Sequence, residues 1–207
     1  MGIKTIKENV SSEIEVKKSR FIANIIKVEN EEEAKEKLNE IKKEHRDARH
    51  NCFCYRVAVI EDGNEKIVER FSDDGEPSGT AGAPMLDLLR GNDLTNVLVV
   101  VTRYFGGILL GTGGLVKAYT DATKEVISKI DIVEKIKGVK YQIIIKYDDL
   151  KNIKYICDKN NIRINNIEYL ENITIDIECE EDKIEFIKNE NVIDIKVLSN
   201  AMYIDKI

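Results

Sequence analysis

At 207 residues the chain has room for one to two domains at about 150 residues each. Its 43% hydrophobic and 34% charged residues, 12 Gly and 2 Pro can bury a core and exclude a disordered, collagen-like or low-complexity chain. A formal net charge of −6 excludes a generally basic nucleic-acid coat, so any contact with RNA must come from a local patch.

The first part opens on strand-like IEVKKSRFIANIIKV, with a polar break at Lys17–Ser19. Asn30 followed by Glu33 is a capping-box pattern, and Ala34, Leu38 and Ile41 make the buried stripe of the helix that follows. HNCFCYRVAVI reads as a strand, and EKIVERF pairs back on it across Asp62-Gly63. After a glycine-rich loop comes a short helix around Met85, Leu88 and Leu89 that stops at Gly91. TNVLVVVTRYF is a buried strand by its unbroken Val/Leu run. A second glycine-rich loop leads into a helix from about Thr112 to Ser128, with Leu115, Ala118, Ala122 and Val126 on one side. These elements predict helices on one face of a mixed sheet.

Nine of the 12 glycines fall between Gly75 and Gly114, and neither Gly nor Pro occurs after Gly138. This change of punctuation places a boundary near residues 130–139. Beyond it, VKYQIIIKY is a strand, and Asp148 or Asp149 can cap a helix carrying Leu150, Ile153, Ile156 and Cys157. IRINNIEYL and NITIDIEC meet in a hairpin near Glu171-Asn172, a short helix points Ile184 and Ile187 inward, and VIDIKVL closes the unit. The order βαββαβ is ferredoxin-like. The fold class is therefore α+β, with an N-terminal domain over 1–136 and a C-terminal domain over 137–207. Charge does not separate the parts: 22 Lys+Arg stand against 24 Asp+Glu through Gly138, and 10 against 14 after it.

Three segments carry candidate chemistry. In VTRYFGGILLGTGGLVKAY, glycines 106, 107, 111, 113 and 114 let backbone approach a ligand at a helix N-terminus, where free N–H groups favour an anion. Arg103 and Lys117 add full charges, while Tyr104 and Phe105 can stack or pack. The loop is neither a dinucleotide fingerprint nor a P-loop, and glycines there also serve a tight turn. In FSDDGEPSGTAGAP, Asp73, Asp74 and Glu76 can hold a hard cation with Ser78 and Thr80, yet the same residues make ordinary turns around Gly75 and Gly79. In HRDARHNCFCYR, His50, Cys52 and Cys54 share a strand face, as soft zinc ligands or as core thiols. His50 suits a hydrogen-bond partner for the 73–80 loop or a general base, and a Ser78–His50–Asp74 triad can be drawn without a nucleophile elbow. Lys42, Lys43, Arg46 and Arg49 read as a solvated helix end that, with Lys17, Lys18 and Arg20, can build the local basic patch.

At DDGEPSGTAGAPML, LVVVTRYFGGILLGTGGLVKAYTDA and ARHNC the sequence resembles the IMPACT family and its bacterial YigZ-type members. The likeness spans roughly residues 20–128, and the βαββαβ unit looks like the small C-terminal domain of the bacterial members. The resemblance implies an N-terminal fold like elongation factor G domain IV and a C-terminal fold like its domain V. It also implies a translation-associated regulatory role, since eukaryotic members regulate translation, and it supplies no catalytic residues. Residues 73–80 and 103–107 with Gly111, Gly113 and Gly114 match its motifs.

The expectation is a non-enzymatic regulator that binds RNA, the ribosome or a translation factor through the two glycine-rich loops. No cofactor or metal is expected. An alternative is a phosphate-ligand enzyme, a nucleotide-dependent phosphotransferase or hydrolase with Asp73 or Asp74 on a cation; fold alone transfers no such activity. The N-terminus lacks an apolar signal core, no apolar run reaches the roughly 20 residues of a membrane span, and four cysteines are too few for a disulfide scaffold. A cytoplasmic protein with no membrane partner is expected.

Overall fold

A strand with no polar alternation must be covered on both faces, and Val97–Val101 is such a strand: all five side chains are fully buried. In the computed structural model, which describes residues 2–61 and 64–205, this strand is the centre of the first of two compact units. That unit, Lys4–Val133, is built from β1 (Ile3–Ile6), β2 (Val10–Val16), β3 (Ser19–Lys27), α1 (Glu31–Glu44), β4 (His50–Glu61), β5 (Asn64–Ser72), α2 (Gly82–Gly91), β6 (Val97–Tyr104) and α3 (Gly111–Ile127). Its sheet runs β2-β3-β6-β4-β5, and each neighbouring pair is antiparallel.

Alternation sorts the two faces. Val97, Val99 and Val101 join Phe21, Ala23, Ile25, Cys52 and Cys54 in a core closed by Met85, Leu86 and Leu89 of α2 and Leu115, Ala118, Tyr119, Ala122 and Val126 of α3. Leu98 and Val100 join Tyr55 and Val57 in a second core closed by Ala34, Leu38 and Ile41 of α1. Burying each of these Val, Leu or Ile side chains contributes about 1.5–3 kcal/mol. The expected arrangement of helices on one face of a mixed sheet is thus corrected: the sheet is antiparallel and helices cover both faces. The continuous apolar run of β6 itself demands the second layer.

Local signals resolve as follows. The Lys17–Ser19 break is a hairpin turn in which Lys17 and Lys18 take positive φ (48° and 64°). Two consecutive left-handed residues form a type I′ turn, usually made by Asn-Gly. Asn30 accepts the Glu33 N–H at 2.9 Å, while the Glu33 carboxylate reaches the N–H of Glu29 rather than that of the cap. In α2, Leu86 rather than the expected Leu88 is buried beside Met85 and Leu89. The Asp62-Gly63 turn lies outside the described residues.

The second unit covers Glu134–Ile207 with the first three residues. It contains β7 (Ile132–Ile145), α4 (Leu150–Lys159), β8 (Arg163–Tyr169), β9 (Ile173–Cys179), α5 (Ile184–Lys188) and β10 (Val192–Asp205). The antiparallel order β10-β7-β9-β8 is that of a ferredoxin-like sheet. Ile143, Ile145, Ile175 and Ile177 pack against Ile153, Cys157, Ile184 and Ile187. Neither Asp148 nor Asp149 caps α4 through its side chain, because a 3-10 turn over Tyr147–Asp149 runs directly into the helix.

Candidate functional site

Register brings three side chains into one row. β4 and β3 flank β6, and Arg103 lies opposite His50 on one side and Phe21 on the other. The two-residue period that sends Val99, Val101, Cys52 and Cys54 toward α2 and α3 sends Arg103 and His50 the same way.

The 73–81 segment folds over this row, held by its own carboxylates. Asp73 accepts the N–H groups of Gly79 (2.8 Å), Ala81 (2.9 Å) and Gly82 (2.8 Å). Asp74, at φ +44°, accepts the Asn51 N–H on one oxygen (2.7 Å) and the Lys42 ammonium on the other (2.9 Å). Gly75 follows at φ +88°, a conformation side chains rarely adopt. Both oxygens of each carboxylate are therefore engaged by donors. The arrangement organises a loop, and the reading of Asp73 or Asp74 as a cation ligand loses its donor set.

Glu76 points inward. Its Oε1 accepts from Arg103 Nη1 at 2.6 Å and from the Tyr119 hydroxyl at 2.9 Å, with His50 Nε2 at 4.0 Å. The two glycine-rich segments thus meet through one carboxylate, since Arg103 precedes the second loop and Tyr119 follows it. His50 Nδ1 lies 2.9 Å from the backbone carbonyl of Asp74, which can only accept, so Nδ1 donates to it. The drawn triad does not form: the Asp74 carboxylate is turned to Asn51 and Lys42, and Ser78 is exposed. Thr80 turns its hydroxyl onto the Pro77 carbonyl at 2.6 Å.

His50, Cys52 and Cys54 do share a face, but as part of the core. Burial pushes the Cys52 thiol up to about 12 and raises Cys54 as well, and Cys52 Sγ donates to the Asp73 carbonyl at 3.0 Å. Among the described residues no three His, Cys, Asp or Glu side chains cluster as a metal site. Burial likewise raises the Tyr119 phenol, which stays protonated as a donor to Glu76.

On the opposite face of β6, Tyr104 joins two basic segments. The Arg20 guanidinium stands 5.6 Å from its ring centroid, and its hydroxyl is 2.9 Å from His45 Nδ1 at the end of α1. Lys17, Lys18, Arg20, Lys43, Arg46 and Arg49 in these segments are exposed. Phe105 rests on the Arg103 guanidinium. Gly106 donates its N–H to Ser19 Oγ at 3.1 Å and has no room for a side chain, since a Cβ would meet the Lys18 carbonyl. Gly107 and Gly111 take positive φ (87° and 70°), while Gly113 and Gly114 lie in the first turn of α3, where no side chain caps the free N–H groups. Lys117 is exposed and 3.9 Å from Asp121.

The expectation that Arg103 meets phosphate is revised. Arg103 is turned inward, 6% exposed as a residue, and its guanidinium is neutralised by Glu76. Tyr119, Phe21, Asn51 and Thr102 also belong to the site; all but Phe21 lie inside the motifs of the family resemblance, which give them no role of their own. Tyr119 lies beside Ala118 in the buried stripe of its helix; Thr102 donates to Asn51 at 2.7 Å, a pairing 51 residues apart with no local trace.

A two-domain α+β chain with a helix-covered antiparallel unit and a ferredoxin-like unit is thus the class defined here. Residues 17–127, more than half the chain, match the Impact N-terminal domain, and residues 143–190 match a domain of unknown function (DUF1949). The chain belongs to the IMPACT family. It is similar to the IMPACT family member YvyE of Bacillus subtilis (strain 168), 39% identical over 86% of this chain and 79% of that one. Similarity to YigZ of Escherichia coli (strain K12) is 40% over 75% and 74%. A crystal structure described as that of a hypothetical protein aligns over 96% of this chain and 97% of its own, at 32% identity and a TM-score of 0.65. No helix among the described residues is long and apolar enough to cross a membrane.

Proposed function

We propose that the chain is a non-enzymatic, translation-associated regulatory protein that holds RNA at the end of the first unit where β6 stops. The translation context rests on membership of the IMPACT family, whose eukaryotic members regulate translation. The observation that carries the partner class is the meeting of two sequence-distant basic segments at Tyr104, through Arg20 and His45, in a chain whose net charge is −6. Exposed cations at one end give the local patch that an anionic backbone requires. Arg103, Glu76, His50, Asp73 and Asp74 hold the loops in this reading, while Lys17, Lys18, Lys43, Arg46 and Lys117 meet phosphates.

Co-sedimentation with ribosomes and subunits at low and high salt tests it. Binding is expected to weaken with salt. Lys17→Ala/Lys18→Ala and Lys43→Ala/Arg46→Ala are each expected to weaken it further and to flatten the salt dependence, by about one unit of slope for each phosphate no longer bound. Absence of binding at every salt, or identical behaviour of both double variants and the wild type, would overturn the reading.

A further inference from the structure

Phe105 is placed differently from an ordinary surface hydrophobe. The residue is 44% exposed, yet its ring is seated 5.6 Å from the Arg103 guanidinium. Arg103 is itself fixed, by Glu76 at 2.6 Å and by the ring of Phe21, whose centroid is 5.6 Å away on the core side. The backbone just after Phe105 is fixed too, because Gly106 lies against the Lys18 carbonyl and donates to Ser19. An aromatic ring held on both counts loses little freedom when something stacks on it. The Lys17-Lys18 turn against which Gly106 is seated presents two exposed cations, and neither makes an ion pair among the described residues.

The geometry points to Phe105 as a stacking platform for an unpaired nucleobase, with Lys17 and Lys18 beside it for the adjoining phosphate, so that this end selects single-stranded over duplex RNA. The inference rests on the reading of this end as an RNA surface and deepens it. Stacking needs an open base face, which a duplex hides and a single strand offers whatever its sequence. A purely apolar partner would use Leu109 and Ile108 nearby and would have no need of the two lysines.

The chain contains no Trp, so Phe105→Trp gives a single reporter at the proposed contact. Its emission, titrated with a short single-stranded oligoadenylate and with a duplex RNA of equal length at two salt concentrations, is expected to be quenched saturably by the single strand alone. Phe105→Ala is expected to weaken single-strand binding at least about fivefold, the lower end for one stacked base, with its salt dependence unchanged. Matching urea midpoints for wild type and both variants establish that the fold is intact. Wild-type affinity in Phe105→Ala, with weakened binding in Lys17→Ala/Lys18→Ala, would overturn the stacking site and leave the RNA surface standing. Equal affinity for duplex and single strand would overturn the selection. Failure of the wild type to bind either RNA at low salt would overturn both.

Discussion

Arg103 and Glu76 meet at 2.6 Å beneath the 73–81 loop, with side chains 7% and 4% exposed. The pair joins the end of the central strand to a loop that otherwise touches the sheet through backbone and carboxylates. Its surroundings are incomplete, for Arg103 Nε has no hydrogen-bond partner among the described residues. The rings of Phe21 and Phe105 enclose the guanidinium instead, a cation–π arrangement that partly offsets the loss of water.

Removing one partner of such a pair strands the other charge. Arg103→Met is expected to destabilise the first unit by about 3–5 kcal/mol, while Arg103→Met/Glu76→Leu recovers much of that. Urea unfolding of the four members of the double-mutant cycle reads the coupling directly. A cost near zero for Arg103→Met alone would mean that the buried pair does not anchor the loop.

Asp73 performs the turn-making for the same loop, accepting three N–H groups. Asp73→Ala leaves all three N–H groups without their acceptor at the entrance to α2 and is expected to cost about 2 kcal/mol, the upper end for a lost helix cap. Limited proteolysis is expected to cut within residues 73–81 faster in this variant, with Asp73→Asn between it and wild type because one amide oxygen can still accept. Unchanged cleavage would assign the loop's order to Asp74 and Glu76.

Much of this arrangement is legible in the chain because its signals are local. The Val97–Val101 run, the Asn30 cap and the stripe Ala34, Leu38 and Ile41 each depend on neighbours within a few residues. The βαββαβ order is legible for the same reason. What stays hidden depends on distance. The Lys17-Lys18 turn lacks Asn or Gly, and the hairpin rather than the residues sets its positive φ. Arg103 at the end of a strand, followed by glycines, reads as a free cation until a glutamate 27 residues earlier folds over it. Cap, stripe and period carry no information about which carboxylate will neutralise which guanidinium.

The four cysteines are buried thiols, and burial raises Cys52 to about 12 and Cys157 and Cys179 to about 11. In the unfolded chain a thiol ionises near about 8.5. Below that value both states hold the proton and stability is unaffected. As pH rises above it the unfolded chain loses protons that the folded chain keeps, so stability is expected to fall progressively from about 8.5 to about 12. Native protein at pH 8 is expected to react slowly with a thiol reagent, and unfolded protein to react at all four cysteines. Rapid labelling of Cys52 in the native state would contradict its place under the Asp73 carbonyl.

Two glycines of the second glycine-rich segment, one in the loop and one in the helix after it, should respond in opposite directions. A Cβ on Gly106 would collide with the Lys18 carbonyl, so Gly106→Ala must push the loop off the β2–β3 turn; a loss of about 1–3 kcal/mol is expected, as for other overpacked sites. Gly113 lies in the first turn of α3, and a Cβ there meets nothing within 4 Å. Gly113→Ala is therefore expected to raise stability by about 0.5–1 kcal/mol, by removing the backbone freedom that glycine keeps in the unfolded chain. Urea midpoints of the two variants measure both effects. A stable Gly106→Ala would detach the loop from the Lys17-Lys18 turn, and with it the fixed backbone on which the seating of Phe105 depends.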